Sequence, residues 1–178
     1  MAANPSKDTG TEAETAVLRW LLANGFPGAR RNPLHGNRDQ GDIWAASGLV
    51  IEVKAGHTAE KSEPADVTEW MRQTQVEREN ADADFAILVT KRAGRGTARV
   101  GDWWAWITAG ELVMLAIAAE DIAQAAAGTI HAGPRTSAPQ WAVPIRMRLA
   151  DLAPIIRLAG YGDPIQPIIP KEPTCSPA

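Results

Sequence analysis

Cysteine is almost missing from this chain. Cys175 is the only one in 178 residues, and it lies in a Pro-rich stretch. That excludes an intrachain disulfide framework and a cysteine zinc site, and it fits a reducing cytoplasm. Histidine is nearly as scarce: His35, His57 and His131 stand far apart. A loop position is the simplest reading of His35, and Cys175 is no credible nucleophile. Long apolar runs are lacking too. No stretch reaches the length of a membrane span, and MAANPSKDTG has no apolar core of a secretory signal. The expectation is a cytoplasmic protein with no membrane partner. Charge of one sign is not in excess. The net charge of −3 does not advertise a nucleic-acid binder, although distribution matters more than the sum.

What is present is enough for one domain with a proper core and a small appendage. Apolar residues make up 45% and charged residues 22%, so a globular fold is expected. Residues 1–9 read as a disordered lead. Ala13, Val17, Leu18, Leu21 and Leu22 recur at helical spacing over 11–24, with Gly25 as the stop. A hairpin follows over 42–54, turning at Ser47-Gly48, then a polar connection over 57–65. Residues 65–80 read as a helix and FAILVT (85–90) as a central strand, apolar throughout. A fourth strand covers 103–108 and a helix 109–118. The hairpin is antiparallel, and the 65–80 helix carries the chain to a parallel or mixed partner. Residues 119–140 read as a helix end and linker, 141–163 as a small strand-helix extension, and the rest from 164 as a Pro-rich tail.

The chemistry concentrates in GDIWAASGLVIEVKAG. Alternation along a strand points Glu52 and Lys54 to one face and Ile51 and Val53 to the other. Asp42, across the turn, reaches the same end of the hairpin. Leu49-Val50-Ile51 suggests a strand buried on both faces, and charges at the end of such a strand need partners or a task. Two carboxylates beside an ammonium form a costly cluster unless a divalent cation lies between them. Oxygen ligands of this kind suit Mg²⁺, which uses one or two protein carboxylates and keeps several waters. The plain alternative is a solvated pair on an exposed strand. Glu14 is a further acidic candidate, although Glu12 and Glu14 also complement the dipole of a helix first turn.

Two basic groups flank this segment. Arg30, Arg31 and Arg38 precede it; Lys91, Arg92, Arg95 and Arg99 fall within nine residues after it, opposed by Asp102. They read either as DNA contacts or as ordinary solvated loops. Seven tryptophans are unusual for this length. Alternation puts Trp104 and Trp106 on one face and Trp103 on the other. Core packing is the first reading for these and for Trp20 and Trp44; base stacking or a dimer contact is the second for the 103–106 cluster.

In order, Gly10-x-x-Ala13-Glu14, Arg30-Arg31, Gly41-Asp42-Ile43 and Ile51-Glu52-Val53-Lys54 resemble the PD-(D/E)xK nuclease superfamily. More narrowly, they resemble archaeal-type Holliday junction resolvases and their relatives in actinobacterial phages, over about residues 8–118. Gly41 stands where the superfamily has proline. The resemblance implies an α/β restriction-endonuclease-like core: a mixed central sheet flanked by helices, here residues 10–118. It implies Asp42 and Glu52 as ligands of Mg²⁺ (or Mn²⁺), with Glu14 reaching the metal directly or through water. Lys54 would orient the attacking water or offset charge on the phosphate. Gln73 would trim the site or contact DNA, with Gln75 its rival, and Arg31 would hold a phosphate ahead of Arg30. The expected activity is Mg²⁺-dependent cleavage of branched DNA, foremost a four-way junction, by a homodimer whose two-fold axis matches the paired scissile phosphates. The alternatives are a restriction- or repair-type nuclease on duplex or flap DNA, and a non-catalytic DNA-binding module of the same fold.

Overall fold

The computed structural model describes residues 5–32, 39–126 and 143–165. Their core is a six-stranded mixed sheet with strands adjacent in chain order. The strands are β1 (Arg30–Arg31), β2 (Ile43–Ala46), β3 (Leu49–Lys54), β4 (Phe85–Thr90), β5 (Trp104–Thr108) and β6 (Pro144–Arg148). Only the β3–β4 pair is parallel. It is spanned by two helices, α2 (His57–Glu60) and α3 (Pro64–Asn80). The remaining helices are α1 (Pro5–Ala23), α4 (Ala109–Ala126) and α5 (Leu149–Leu158). An irregular 3₁₀ stretch, Thr97–Asp102, leads into β5.

One face of the sheet carries the main core. Ala13, Val17 and Leu21 of α1, Leu115 of α4, and Leu152 and Ile156 of α5 cluster on Ile43, Ile51, Ile87, Ala105 and Ile107. These strand residues follow the period of two that sends every second side chain to one face. The other face is covered by α3, whose Val67 and Met71 pack on Leu88. Every residue of β4 is buried, as its apolar run requires of a strand covered on both sides. α3 opens with Pro64 at its start and a reciprocal Glu63–Asp66 capping box.

Several boundaries differ from the sequence reading: a short helix, α2, forms within the 57–65 connection, and Arg30–Arg31, in a stretch that reads as irregular, pair as β1. Residues 5–9 belong to α1 rather than to a disordered lead, because proline in a first helical turn gives up no hydrogen bond. α4 runs on to Ala126, through most of what reads as the start of a linker. The strand-helix extension is not a separate unit: β6 pairs with β5 along its length, and Leu149, Leu152, Ala153, Ile156 and Tyr161 join the main core. Tyr161 also meets Phe85 edge-on at 5.4 Å and donates its hydroxyl to Asp84 Oδ2 at 2.9 Å. His35, Arg38, His131, Cys175 and the tail beyond 165 lie outside the described residues. Among the described residues, no helix is long and apolar enough to cross a membrane.

Candidate active site

The hairpin brings Asp42, Glu52 and Lys54 to one face of the sheet. Ile43 pairs with Ile51, so Asp42 lies opposite Glu52. Gly48 makes the turn at φ +77°, and the Asp84 and Phe85 amides both donate to its carbonyl. Just before Asp42, the chain turns at Gly41 with φ +79°. Proline is locked near −65° and cannot take that conformation, so glycine here is a requirement of the turn. The turn aims Asp42 at β3, where its Oδ2 accepts from the Val53 amide at 2.8 Å. Lys54 Nζ donates to Glu52 Oε1 at 2.5 Å.

A fourth charged residue arrives from α3. The Asn80 side chain donates to the Asp39 carbonyl, and the Gln40 side chain donates to the Asn80 carbonyl. This lock holds the end of α3 against the chain leading to Asp42. Glu77, one turn earlier, is thereby pressed into the acid cluster at 6% exposure. Its Oε2 is buried without a hydrogen-bond partner. Gln73 instead donates to Glu69 on its own helix, and Gln75 donates to Glu111. Sequence reasoning passed over Glu77, although a signal exists. Val67, Met71, Thr74 and Glu77 are the buried stripe of α3. A glutamate on the apolar stripe of a helix marks a buried acid.

The crowding shows in the protonation of these groups. Burial, with the Glu52 charge adding to it, pushes Asp42 up to about 8. Burial and the Glu77 charge push Glu52 up to about 7. Burial and the Asp39 charge push Glu77 up to about 7. Burial alone would lower the Lys54 ammonium, but the charge and hydrogen bond of Glu52 hold it above its ordinary value. At neutral pH the cluster therefore holds protons that isolated carboxyls would have released, beside one fixed positive charge.

Asp42 and Glu52 offer hard oxygen donors, and the Lys54 ammonium beside them is itself a cation and no ligand. Among the described residues no group of three or more His, Cys, Asp or Glu side chains is placed to hold a metal ion. A cation here would take Asp42 and Glu52 and fill its shell with water, the habit of Mg²⁺. Glu14 is held differently: its Oε2 lies 3.2 Å from Arg31 Nη1, while its charge still reaches Asp42.

Most of the basic candidates are engaged within the chain. Arg31 also donates to the Thr11 carbonyl and Thr15 Oγ1, tying β1 to α1. Arg30 lies over the Trp44 ring at 5.3 Å. Lys91 pairs with Glu60 at 2.8 Å. Arg95 and Arg99 both pair with Asp102 at 3.4 Å. Arg92 lies over Trp104 at 4.3 Å. Trp103 is fully buried in the core, whereas Trp104 and Trp106 are half-exposed on the face that bears the acids. No protein-family model, curated protein or solved structure matches the chain.

Proposed function

We propose that the chain is a Mg²⁺-dependent DNA endonuclease with a restriction-endonuclease-like core, acting on branched DNA as a homodimer. The observation that supports it is the gathering of Asp42, Glu52 and Glu77 beside Lys54, three acids that burial and then their negative neighbours hold protonated above the usual carboxylate range. Such a cluster destabilises the fold unless a ligand compensates it. The junction substrate and the two-fold dimer rest on the motif resemblance.

Asp42 and Glu52 would hold the ion. Bound there, it would offset charge on a phosphodiester and make a bound water more acidic. Lys54 is charged at neutral pH and 27% exposed, so it stands beside the acids as a fixed cation that solvent reaches. It counters the negative charge that builds on phosphate oxygens as a nucleophile attacks. Its bond to Glu52 fixes both side chains, and the charge of Glu77 acts on Glu52 from the helix side. Arg31, bound to Glu14 but 41% exposed, keeps part of its guanidinium available to a backbone phosphate.

The test is a panel of four-way junction, flap and linear duplex DNA, with and without Mg²⁺, against wild type, Asp42→Ala and Glu52→Ala. We expect Mg²⁺-dependent paired nicks in opposing strands of the junction and at least a 100-fold loss in either variant, with DNA binding retained. Unchanged turnover in both variants would remove the site assignment. Equal cutting of every substrate would remove the junction preference.

A further inference from the structure

The face that carries the acid cluster continues past it. Strand register sets Glu52 beside Leu88 and Leu88 beside Trp106; it sets Lys54 beside Thr90 and Thr90 beside Trp104. Facing residues of neighbouring strands point to the same side, so both indoles share the face of Glu52 and Lys54. Trp106 lies two strand spacings from Glu52, about 10 Å. Its Nε1 donates to Thr90 Oγ1 at 3.0 Å, which fixes its ring. α3 covers this face over β4, and the surface beyond it is made by β5 and β6, with Trp104 and Trp106 half-exposed and Arg146 exposed.

Arg146 faces Trp106 across the β5–β6 pair. Its guanidinium lies 4.6 Å from the Trp104 ring centre and 5.4 Å from that of Trp106. Arg92, just past β4, approaches Trp104 from its own strand at 4.3 Å. Arg95, Arg99 and Arg148 all converge on Asp102, so their charge is largely cancelled. Among the described residues, Arg92 and Arg146 meet no carboxylate within ion-pair distance. Arg92 and Arg146 therefore keep their charge at the tryptophan surface, while Arg95 and Arg99 give theirs up to Asp102.

Guanidiniums laid over indole rings extend the planar surface on which unpaired bases stack, while their charge takes the adjoining phosphates. A closed duplex presents no base faces to such a surface. We propose that Trp104, Trp106, Arg92 and Arg146 form a stacking platform for an unpaired DNA strand, the splayed nucleotides next to the scissile phosphate. Its place beside the scissile phosphate rests on the nuclease reading; strand binding itself does not.

Fluorescence anisotropy tests this with a labelled oligothymidylate and a blunt duplex of equal length, in EDTA so that nothing is cut. Wild type is expected to bind the oligothymidylate more tightly than the duplex. The double variant Arg92→Ala/Arg146→Ala, whose side chains reach solvent, should shallow the slope of log affinity against log salt by about 1.4, two single-strand phosphate contacts. Trp104→Ala should weaken binding by about 5- to 150-fold, the range for one lost stacking partner. The platform is overturned if the oligothymidylate is not preferred, or if the double arginine variant keeps both affinity and slope. It is also overturned if Arg146→Ala dissociates a wild-type dimer in sedimentation while strand affinity is unchanged, for the face then belongs to a second copy. Cleavage data separate the two ideas. No cutting of any DNA, with strand binding intact and platform-sensitive, sinks the nuclease reading alone; cutting without strand preference sinks the platform alone.

Discussion

Glu77→Gln is the most exposed consequence of the acid cluster. The carboxyl of Glu77 is pushed from 4.5 to about 7, first by burial and then by Asp39. Gln keeps the shape of the protonated acid and cannot ionise. A folded-state value above the unfolded one means that the native state holds the proton longer as pH rises. Native stability linked to that proton is complete below about pH 4.5, falls between 4.5 and 7, and is gone above that window. At ~1.36 kcal/mol per pH unit, the full shift corresponds to about 3.4 kcal/mol. Lys54 beside the cluster is 27% exposed, and screening by the water that reaches it leaves roughly half, ~1.5 kcal/mol. For a chain of this length that is about 3–6 °C in Tm. Thermal unfolding in chelator should therefore show Glu77→Gln matching wild type at pH 4 and exceeding it by that margin at pH 8. Millimolar Mg²⁺ at pH 8 should narrow the gap by stabilising wild type. A variant destabilised at pH 8, or shifted equally at both pH values, would refute the reasoning.

Two further outcomes concern the scaffold. Glu111, at 4% exposure, accepts from the Thr108 amide at 3.1 Å, from Thr108 Oγ1 at 2.6 Å and from Gln75 at 3.2 Å. Glu111→Ala strands those donors and should cost ~3 kcal/mol or more in chemical denaturation; a loss under ~1 kcal/mol would show the network to be dispensable. Gly48→Ala forces a side chain into a left-handed turn and against the Asp84 carboxylate, so it should cost ~2 kcal/mol or more. An unchanged denaturation midpoint would mean that the hairpin turn relaxes freely.

Asp42, Glu52 and Lys54 were legible because strand alternation is a local rule: a period of two sends Glu52 and Lys54 to one face whatever the rest of the chain does. The same rule separated Trp103 from Trp104 and Trp106. β4 was legible because six consecutive apolar residues admit few places other than the middle of a sheet. β1 was not, since two arginines carry no periodic signal and pair only because β2 is already there. β6 was legible as a strand but not as the sixth strand of the main sheet, because choice of neighbour is a long-range matter.

Local sequence thus determined the longer helices and strands and which side chains of the hairpin share a face, because those follow from backbone periodicity within a few residues. Only the tertiary structure decided that Glu77 rather than Gln73 or Gln75 presses against Glu52, that Asp102 takes up the basic loop, and that Trp104 and Trp106 continue the acid-bearing face. Each depends on how α3, β5 and β6 dock, and docking is fixed by packing between residues tens of positions apart.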